Sequence, residues 1–494
     1  MYPVSLNPTS FILKYSILVF LSAACICMFR TVLVAEVQPN VLFIAVDDLN
    51  DWVGFLKNYP GAKTPHMDSL AEEGVTFTNA HCSSPGCNPS RTSIMTGLRP
   101  SSTGVYANGD DWRVMEYTKD VVTLPDSFQA AGYSTKGGGK LYHAHTINEK
   151  ALTGHLDPDP WDTFYPSKEQ QLPAEVTPDI WPVNSNEDFY GGRIDWSPLD
   201  ISDNEMADGQ TVTWAEQELS REHSKPLFLA VGIYRPHWAW WVPQSYFDQH
   251  PLDEIELIYE PADDLDDIPE AGQKMIRKEW HAWIMENKER EKIVQAYLAS
   301  MTFADAMVGR LISALEKGPL ANNTIIVLWS DHGYHFGSKN HWEKFALWEE
   351  ATHVPLVFAD RRSGNNSSSD SWQLGSRTNQ PVSLLDLYPT LVEICGLSEP
   401  GHLEGKSLVH LLKNAKSKTG DAVLTTHMYK NHAVRSENWR YIRYEDGSDE
   451  LYDHRKDPRE YENLAVYSEY SEIKDYLAQW LPEVNVEPIP KKKD

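Results

Sequence analysis

The stretch "NVLFIAVDD", residues 40–48, reads as a strand that is buried on both faces and ends in two aspartates. Its apolar residues follow one another without polar alternation, the pattern of a parallel strand covered by helices on both sides. Four further runs end in the same manner: "GVTFTNAHC" (74–82), "GYSTKGGGKLYH" (132–143), "PLFLAVGIYRPH" (226–237) and "NTIIVLWSDHG" (323–333). Helical stretches separate them, which predicts an α/β protein with a large, mainly parallel mixed sheet flanked by helices. In open α/β sheets, ligands bind beyond the carboxyl ends of the strands. Asp47, Asp48, Lys140, His143, His237, Asp331 and His332 are therefore expected around one cleft, with the second run leading toward Cys87.

The ends of the chain differ from this body. After Lys14 comes the apolar run "YSILVFLSAACICM" (15–28), then "FRTVLVAEV", in which Ala35 offers a small residue for cleavage. Residues 1–35 read as a secretory leader, removed on export to a periplasmic, extracellular or lysosome-like compartment. Two alternatives are an uncleaved membrane anchor, which Arg30 interrupts, and lipid attachment at Cys25 of "SAAC", for which Ser22 is a poor match. No stable membrane span is expected once the leader is gone. A main domain is expected over residues 36–420, including a helix in "VSLLDLYPTLVEICG" (382–396), with "KNAKSKTGD" (413–421) as a linker. Residues 421–494 read as a small α+β subdomain with an antiparallel sheet. Its hairpin lies in "HAVRSENWRYIRYEDGSDELYD" (432–453), turning near "EDGSDE", and its helix near "SEYSEIKDYLAQWL" (468–481).

The 494 residues are 41% hydrophobic, enough for a sizeable core. With 71 acidic residues against 44 Lys plus Arg, the net charge of −27 argues against nucleic acid as a partner. The most acidic stretch, "DEIELIYEPADDLDDIPE" (253–270), reads as a solvated surface loop. Loss of the leader leaves Cys82, Cys87 and Cys395, which do not make a disulfide framework; three free thiols and one pair plus a remainder both stay open.

In "CNPSRTSIMTG" (87–97), Cys87 stands at the end of a loop, Pro89 near the first turn of a helix, and Ser90 and Arg91 on the helix that follows. Free N–H groups and the positive end of the helix dipole favour an anion there, and Arg91 adds a guanidinium. A nucleophilic thiolate is one reading, but it leaves Asp47, Asp48 and Asp331 unexplained. Carboxylates crowded into one cleft call for a cation, and hard oxygens suit Ca²⁺ or Mg²⁺ better than zinc.

Cys87-x-Pro89-Ser90-Arg91, with Thr96-Gly97 after it, resembles the signature of the sulfatases of the alkaline phosphatase superfamily. "VDDLNDW", "GKLYH", "RPH" and "SDHGYHFGSKNHWEKFALWEEATHVPL" are similar to the iduronate-2-sulfatase branch. The resemblance implies an alkaline-phosphatase-like fold and conversion of Cys87 to formylglycine by a formylglycine-generating or anaerobic sulfatase-maturing enzyme. It also implies one Ca²⁺ held by Asp47, Asp48, residue 87, Asp331 and His332, and a sulfate pocket of Arg91, Lys140, His143, His237 and Lys344. In that scheme His237 protonates the leaving oxygen and His143 takes a proton from the second hydroxyl of the hydrated aldehyde.

Sulfated carbohydrate is the substrate that the resemblance implies. Trp112 and Arg113 of "NGDDWR" and Trp238, Trp240 and Trp241 of "RPHWAWW" are candidate sugar contacts, the alternative being that the indoles are core. His335 and His341 read as ordinary hydrogen-bonded or surface histidines. Two other functions stay open: a phosphoester hydrolase on the same scaffold, and a non-catalytic binder of sulfated glycan if Cys87 remains a thiol.

Overall fold

The computed structural model describes residue 1 and residues 38–114, 118–144, 156–189, 192, 194–362 and 371–488. The expected leader lies outside the described residues. Eight strands form the main sheet: β1 (Asn40–Val46), β2 (Val75–Phe77), β3 (Ser134–Gly139), β4 (Thr163–Tyr165), β5 (Leu227–Ile233), β6 (Thr324–Ser330), β7 (Leu356–Asp360) and β8 (Ser376–Thr378). Their spatial order is β8-β2-β7-β6-β1-β5-β3-β4. Only β7 runs against its neighbours, so the sheet is mixed but mainly parallel.

Every residue of β1 is buried. Leu42, Ile44 and Val46 face a core that includes helices α1 (Pro65–Glu73), α4 (Ala207–Leu219) and the long α5 (Arg290–Lys317). Val41, Phe43 and Ala45 face the other core, with α2 (Cys87–Thr96), α3 (Leu124–Ala130) and α6 (Leu387–Cys395). Two covered faces explain why the strand reads as one apolar run. Phe43 packs at 5.9 Å from Phe228 and 5.2 Å from Trp329, ring to ring, joining the three central strands. β6, β1, β5 and β3 lie side by side and parallel, with Val46 opposite both Ser330 and Ile233, and Gly139 opposite Gly232. Their carboxyl ends therefore open at one edge.

Near the C-terminus β9 (Val423–Thr426), β10 (His432–Arg435), β11 (Trp439–Arg443) and β12 (Asp449–Asp453) form an antiparallel meander in sequence order. The expected single hairpin is three strands: a second tight turn closes at Ser436, which donates its N–H to the Trp439 carbonyl at 2.9 Å. α6 starts later than expected. Val382–Ser383 pairs instead with Ala80–His81, and the Asp386 carboxylate accepts the Ser383 N–H at 2.9 Å to open a turn. The acidic stretch is not a freely solvated loop. Asp264 is buried against Lys339 at 2.6 Å, Glu260 pairs with Arg290 at 2.9 Å and Asp267 accepts the Asn463 N–H at 2.7 Å, so its carboxylates strap it to the body. Cys82, Cys87 and Cys395 are all free and buried.

Contacts from the second sheet hold the segment after β6. Ala346, Leu347 and Trp348 share a core with Ala433, Ile442 and Tyr452. Arg440 donates to the Leu347 carbonyl and the Thr352 hydroxyl, each at 2.9 Å, and Trp348 Nε1 donates to Glu450 at 2.8 Å.

The edge tolerates no added bulk between β3 and β5. A Cβ at Gly232 would overlap the backbone of Lys140. Gly232→Ala should cost about 1–3 kcal/mol of stability in urea unfolding, as overpacked sites do, and lower turnover by displacing Lys140. An unchanged unfolding midpoint would show that the two strand ends separate freely.

Candidate active site

Three strand ends and one helix start build the site. β1 delivers Asp47 and Asp48, β6 delivers Asp331 and His332, and β3 delivers Lys140. Asp48 takes a left-handed backbone, φ 56°, which turns the chain sharply at the strand end. Cys87 is the first residue of α2, and Arg91 lies one turn on. All of these side chains, together with Lys344 and His237, are buried.

Arg91 joins the strand ends. Its Nε lies 2.8 Å from Asp331 Oδ2 and one terminal nitrogen 2.9 Å from Asp47 Oδ1, while the other donates to the Lys140 carbonyl. Its guanidinium thus faces these carboxylates and braces the two strand ends. Lys140 pairs with Asp47. Lys344 reaches in from the loop after β6, with Nζ 2.6 Å from Asp48 Oδ1 and 3.2 Å from Cys87 Sγ. His332 Nε2 lies 3.3 Å from Cys87 Sγ, 3.4 Å from Asp48 and 3.5 Å from Asp331.

Burial pushes the Asp331 carboxyl up to about 7 and that of Asp48 to about 6, against the pull of Arg91 and Lys344 respectively. Burial acts on Asp47 too, but adjacent Lys140 and Arg91 outweigh it and hold the carboxyl well below the usual range. For Cys87, burial opposes the thiolate, yet Lys344, Lys140 and His332 bring the thiol down to about 6.

The residues suit a divalent cation. Ligand atoms of Asp47, Cys87, Asp331 and His332 all lie within 4.8 Å of one another, as do those of Asp47, Asp48, Cys87 and His237. Asp48 Oδ2 is buried with no hydrogen-bond partner among the described residues. A hard cation would satisfy that oxygen and the mainly carboxylate set.

His237 thus joins the cluster, its Nδ1 donating to the Trp238 carbonyl at 2.5 Å. His143 is half-buried, three residues beyond Lys140. The tryptophans expected to meet sugar are core instead. Trp240 packs on Tyr297, Tyr334 and Phe336 and donates from Nε1 to the Pro236 carbonyl; Trp238 and Trp241 lie in the same core, and Trp112 is also buried. Their faces are covered because this segment runs into the interior, where indole burial outweighs exposure. Arg113 is held by Asp111 at 2.9 Å and by the Leu156 carbonyl.

The sulfatase family model matches residues 39–397, and a model for the C-terminal part of N-sulphoglucosamine sulphohydrolase matches residues 337–487. The chain belongs to the sulfatase family. A sulfatase of Formosa agariphila is 40% identical over 91% of this chain and 87% of its own length. Human iduronate 2-sulfatase is 30% identical over 73% of this chain and 70% of its own. The fold matches that of the phosphonate monoester hydrolase of Agrobacterium radiobacter with a TM-score of 0.72, at 22% identity, over 90% of this chain and 94% of that one. The enzyme is a sulfatase with an alkaline-phosphatase-like fold.

Several supporting residues of this sulfatase escape a reading of motifs. Ser90 donates to the Asp331 carbonyl at 2.6 Å, and Tyr297 donates to the Asp48 carbonyl at 3.0 Å while accepting the Asn50 N–H at 2.9 Å. Asp208 accepts the N–H groups of Tyr234 and Arg235, fixing the turn that carries His237. His341, buried rather than at the surface, donates to the Lys344 carbonyl at 2.6 Å. Of these, Ser90 and His341 lie within quoted motifs, but neither motif shows what they hold in place.

The cations around Cys87 make a measurable difference in protein whose cysteine is unconverted. In chelator-treated samples its ultraviolet thiolate absorbance should titrate near pH 6. Lys344→Met removes a cation that favours the charged form, so the midpoint should move up toward the ordinary thiol range. A midpoint that stays put would mean that Lys344 does not face the thiol.

Proposed function

We propose that this sulfatase removes sulfate from sugar esters, with residue 87 as formylglycine and one Ca²⁺ held by Asp47, Asp48, residue 87, Asp331 and His332. The observation that carries the reading is the position of Cys87: it heads a buried helix, 3.2 Å from Lys344 Nζ and 3.3 Å from His332 Nε2, within a group of aspartates. A thiolate nucleophile alone gives no use for that many carboxylates. A hydrated aldehyde supplies one hydroxyl to attack sulfur and a second through which sulfate is later expelled. The calcium ion would supply positive charge that favours the ionised hydroxyl and offsets the sulfate oxygens.

Charge accounting supports a cation. Asp47, Asp48 and Asp331 already face Arg91, Lys140 and Lys344, so these residues alone hold little excess positive charge for a buried sulfate. With the carboxylates engaged elsewhere, Lys140 and Lys344 are positioned to hold sulfate oxygens and stabilise charge that grows in the transition state. Arg91 keeps Asp47 and Asp331 in place. His237, with Nδ1–H fixed on a carbonyl, carries its transferable proton on Nε2 and is assigned to the leaving oxygen. His143 is assigned to the proton of the second hydroxyl. The sugar substrate follows the printed name of the human relative, iduronate 2-sulfatase. Export through the leader and a formylglycine-generating or anaerobic maturing enzyme complete the proposal.

Peptide mass spectrometry of active protein from the native host should find formylglycine at position 87, and Cys87→Ala should fold without activity. Active enzyme carrying only thiol would overturn the mechanism. The phosphonate hydrolase fold gives the second reading, phosphoester hydrolysis. Matched sulfate and phosphate esters assayed side by side separate the two, the sulfate ester being turned over faster.

A sugar alkoxide needs a proton to leave, whereas a nitrophenolate does not. His237→Ala should therefore lose about 10²- to 10⁴-fold in kcat on a sulfated sugar and far less on nitrophenyl sulfate. Lys140→Ala, which touches the sulfate end, should damage both alike. Equal losses for His237→Ala on the two substrates would place the proton donor elsewhere.

A further inference from the structure

A cleft of about 650 Å³ opens beside the buried cluster, lined among others by Tyr106, Asn108, Met275, Phe345, His427 and Met428. It adjoins the site through Phe345, whose ring centroid lies 5.9 Å from Lys344 Nζ. Phe345 follows Lys344 directly and donates its N–H to the Pro85 carbonyl at 3.0 Å, in the loop that leads to Cys87. On the same side, Asn108 accepts the N–H of Asn88, the residue after Cys87, at 3.0 Å. Within residues 341–348 every side chain is buried except Phe345, which is half-exposed. Its φ of 65° is costly for a bulky residue, and Met428 across the cleft is held at 59°. Such strain persists where the surroundings enforce it, and it concentrates at ligand sites. His427 stacks on Phe345 with centroids 6.0 Å apart, and burial brings its pKa down to about 4, so the imidazole is neutral. At the rim, Lys274 pairs with Glu270 at 2.9 Å and Arg277 with Glu343 at 2.7 Å, and Glu445 and Asp446 add negative charge. The cleft thus offers ring and thioether surface with no excess cation for a second sulfate.

We propose that this cleft seats the sugar from which sulfate is removed, with Phe345 as the positioning residue whose ring meets the apolar C–H face of a pyranose. The proposal rests on the reading of the enzyme as a sugar-sulfate hydrolase. Aromatic rings bind such faces by removing apolar surface from water while the sugar hydroxyls remain at the polar rim. Strain at residue 345 fixes the ring next to Lys344, so that the ester oxygen is presented to the sulfate-holding groups.

Binding is best read where no turnover occurs, on Cys87→Ala protein in calcium buffer. Heparin-, chondroitin- and carrageenan-derived sulfated tetrasaccharides, and inorganic sulfate, serve as probes in calorimetry. The expected result is that at least one tetrasaccharide binds tighter than sulfate. Adding Phe345→Ala should then weaken that tetrasaccharide about tenfold, leave sulfate affinity unchanged, and be rescued by Phe345→Tyr. If Phe345→Ala does not fold, Met428→Asp, at an exposed position whose backbone suits aspartate, should give a similar selective loss. The proposal is overturned if no tetrasaccharide binds tighter than sulfate, if the variants bind it as well as the parent, or if sulfate affinity falls in parallel, which would make Phe345 a prop for Lys344. Sulfate release by matured wild-type enzyme, assayed separately, tests the reading on which the proposal rests.

Discussion

Three buried carboxylates, Asp47, Asp48 and Asp331, share one buried pocket with Arg91, Lys140 and Lys344, and the rest of the molecule is arranged to make that possible. A lone buried charge is expensive, and breaking a buried pair costs about 3–5 kcal/mol because the partner is left uncompensated. The groups must therefore arrive together. Four adjacent parallel strands bring the acids and Lys140 to a common edge, and α2 brings Arg91 across them. Lys344 needs a longer route: its loop is held from behind by the second sheet, through Arg440, Trp348 and Glu450. The four-stranded sheet is thus part of how the active site is formed.

The same electrostatics reconcile an anionic protein with an anionic substrate. A net charge of −27 describes the whole surface, whereas the pocket is governed by groups within a few ångströms. Beside it the cleft changes character, with the cations at its rim paired and apolar surface within. On the proposed reading, sulfate and sugar are read by different chemistry, one by cations and the other by shape and ring surface.

Strand ends were legible in the sequence because a doubly covered parallel strand is an uninterrupted apolar run, and the polar residues that stop it stand out. Cys87 was legible for a related reason, a cysteine among turn residues. What escaped depends on partners far along the chain. Asp48 donates its N–H to Asp331, and nothing local to either announces it. "RPHWAWW" has the composition of a sugar platform but enters a core supplied by α5 and by the residues after β6. The acidic strap looked solvated because its counter-groups, Arg290, Lys339 and Asn463, come from three other regions. His341 lies inside a quoted motif, but its part shows only in the fold, where it donates to the Lys344 carbonyl and accepts the Arg277 N–H.

The central claim is that the carboxylate cluster is built around a divalent cation, and its most direct test is thermal unfolding against calcium concentration. Chelator-treated enzyme should melt at a lower temperature, and Ca²⁺ should raise the midpoint progressively. At a hundredfold excess over Kd the gain should reach about 2.7 kcal/mol. Asp48→Asn, which weakens the set at its unpartnered oxygen, should blunt that response. A midpoint indifferent to calcium, in active enzyme that carries no divalent metal by elemental analysis, would contradict the account.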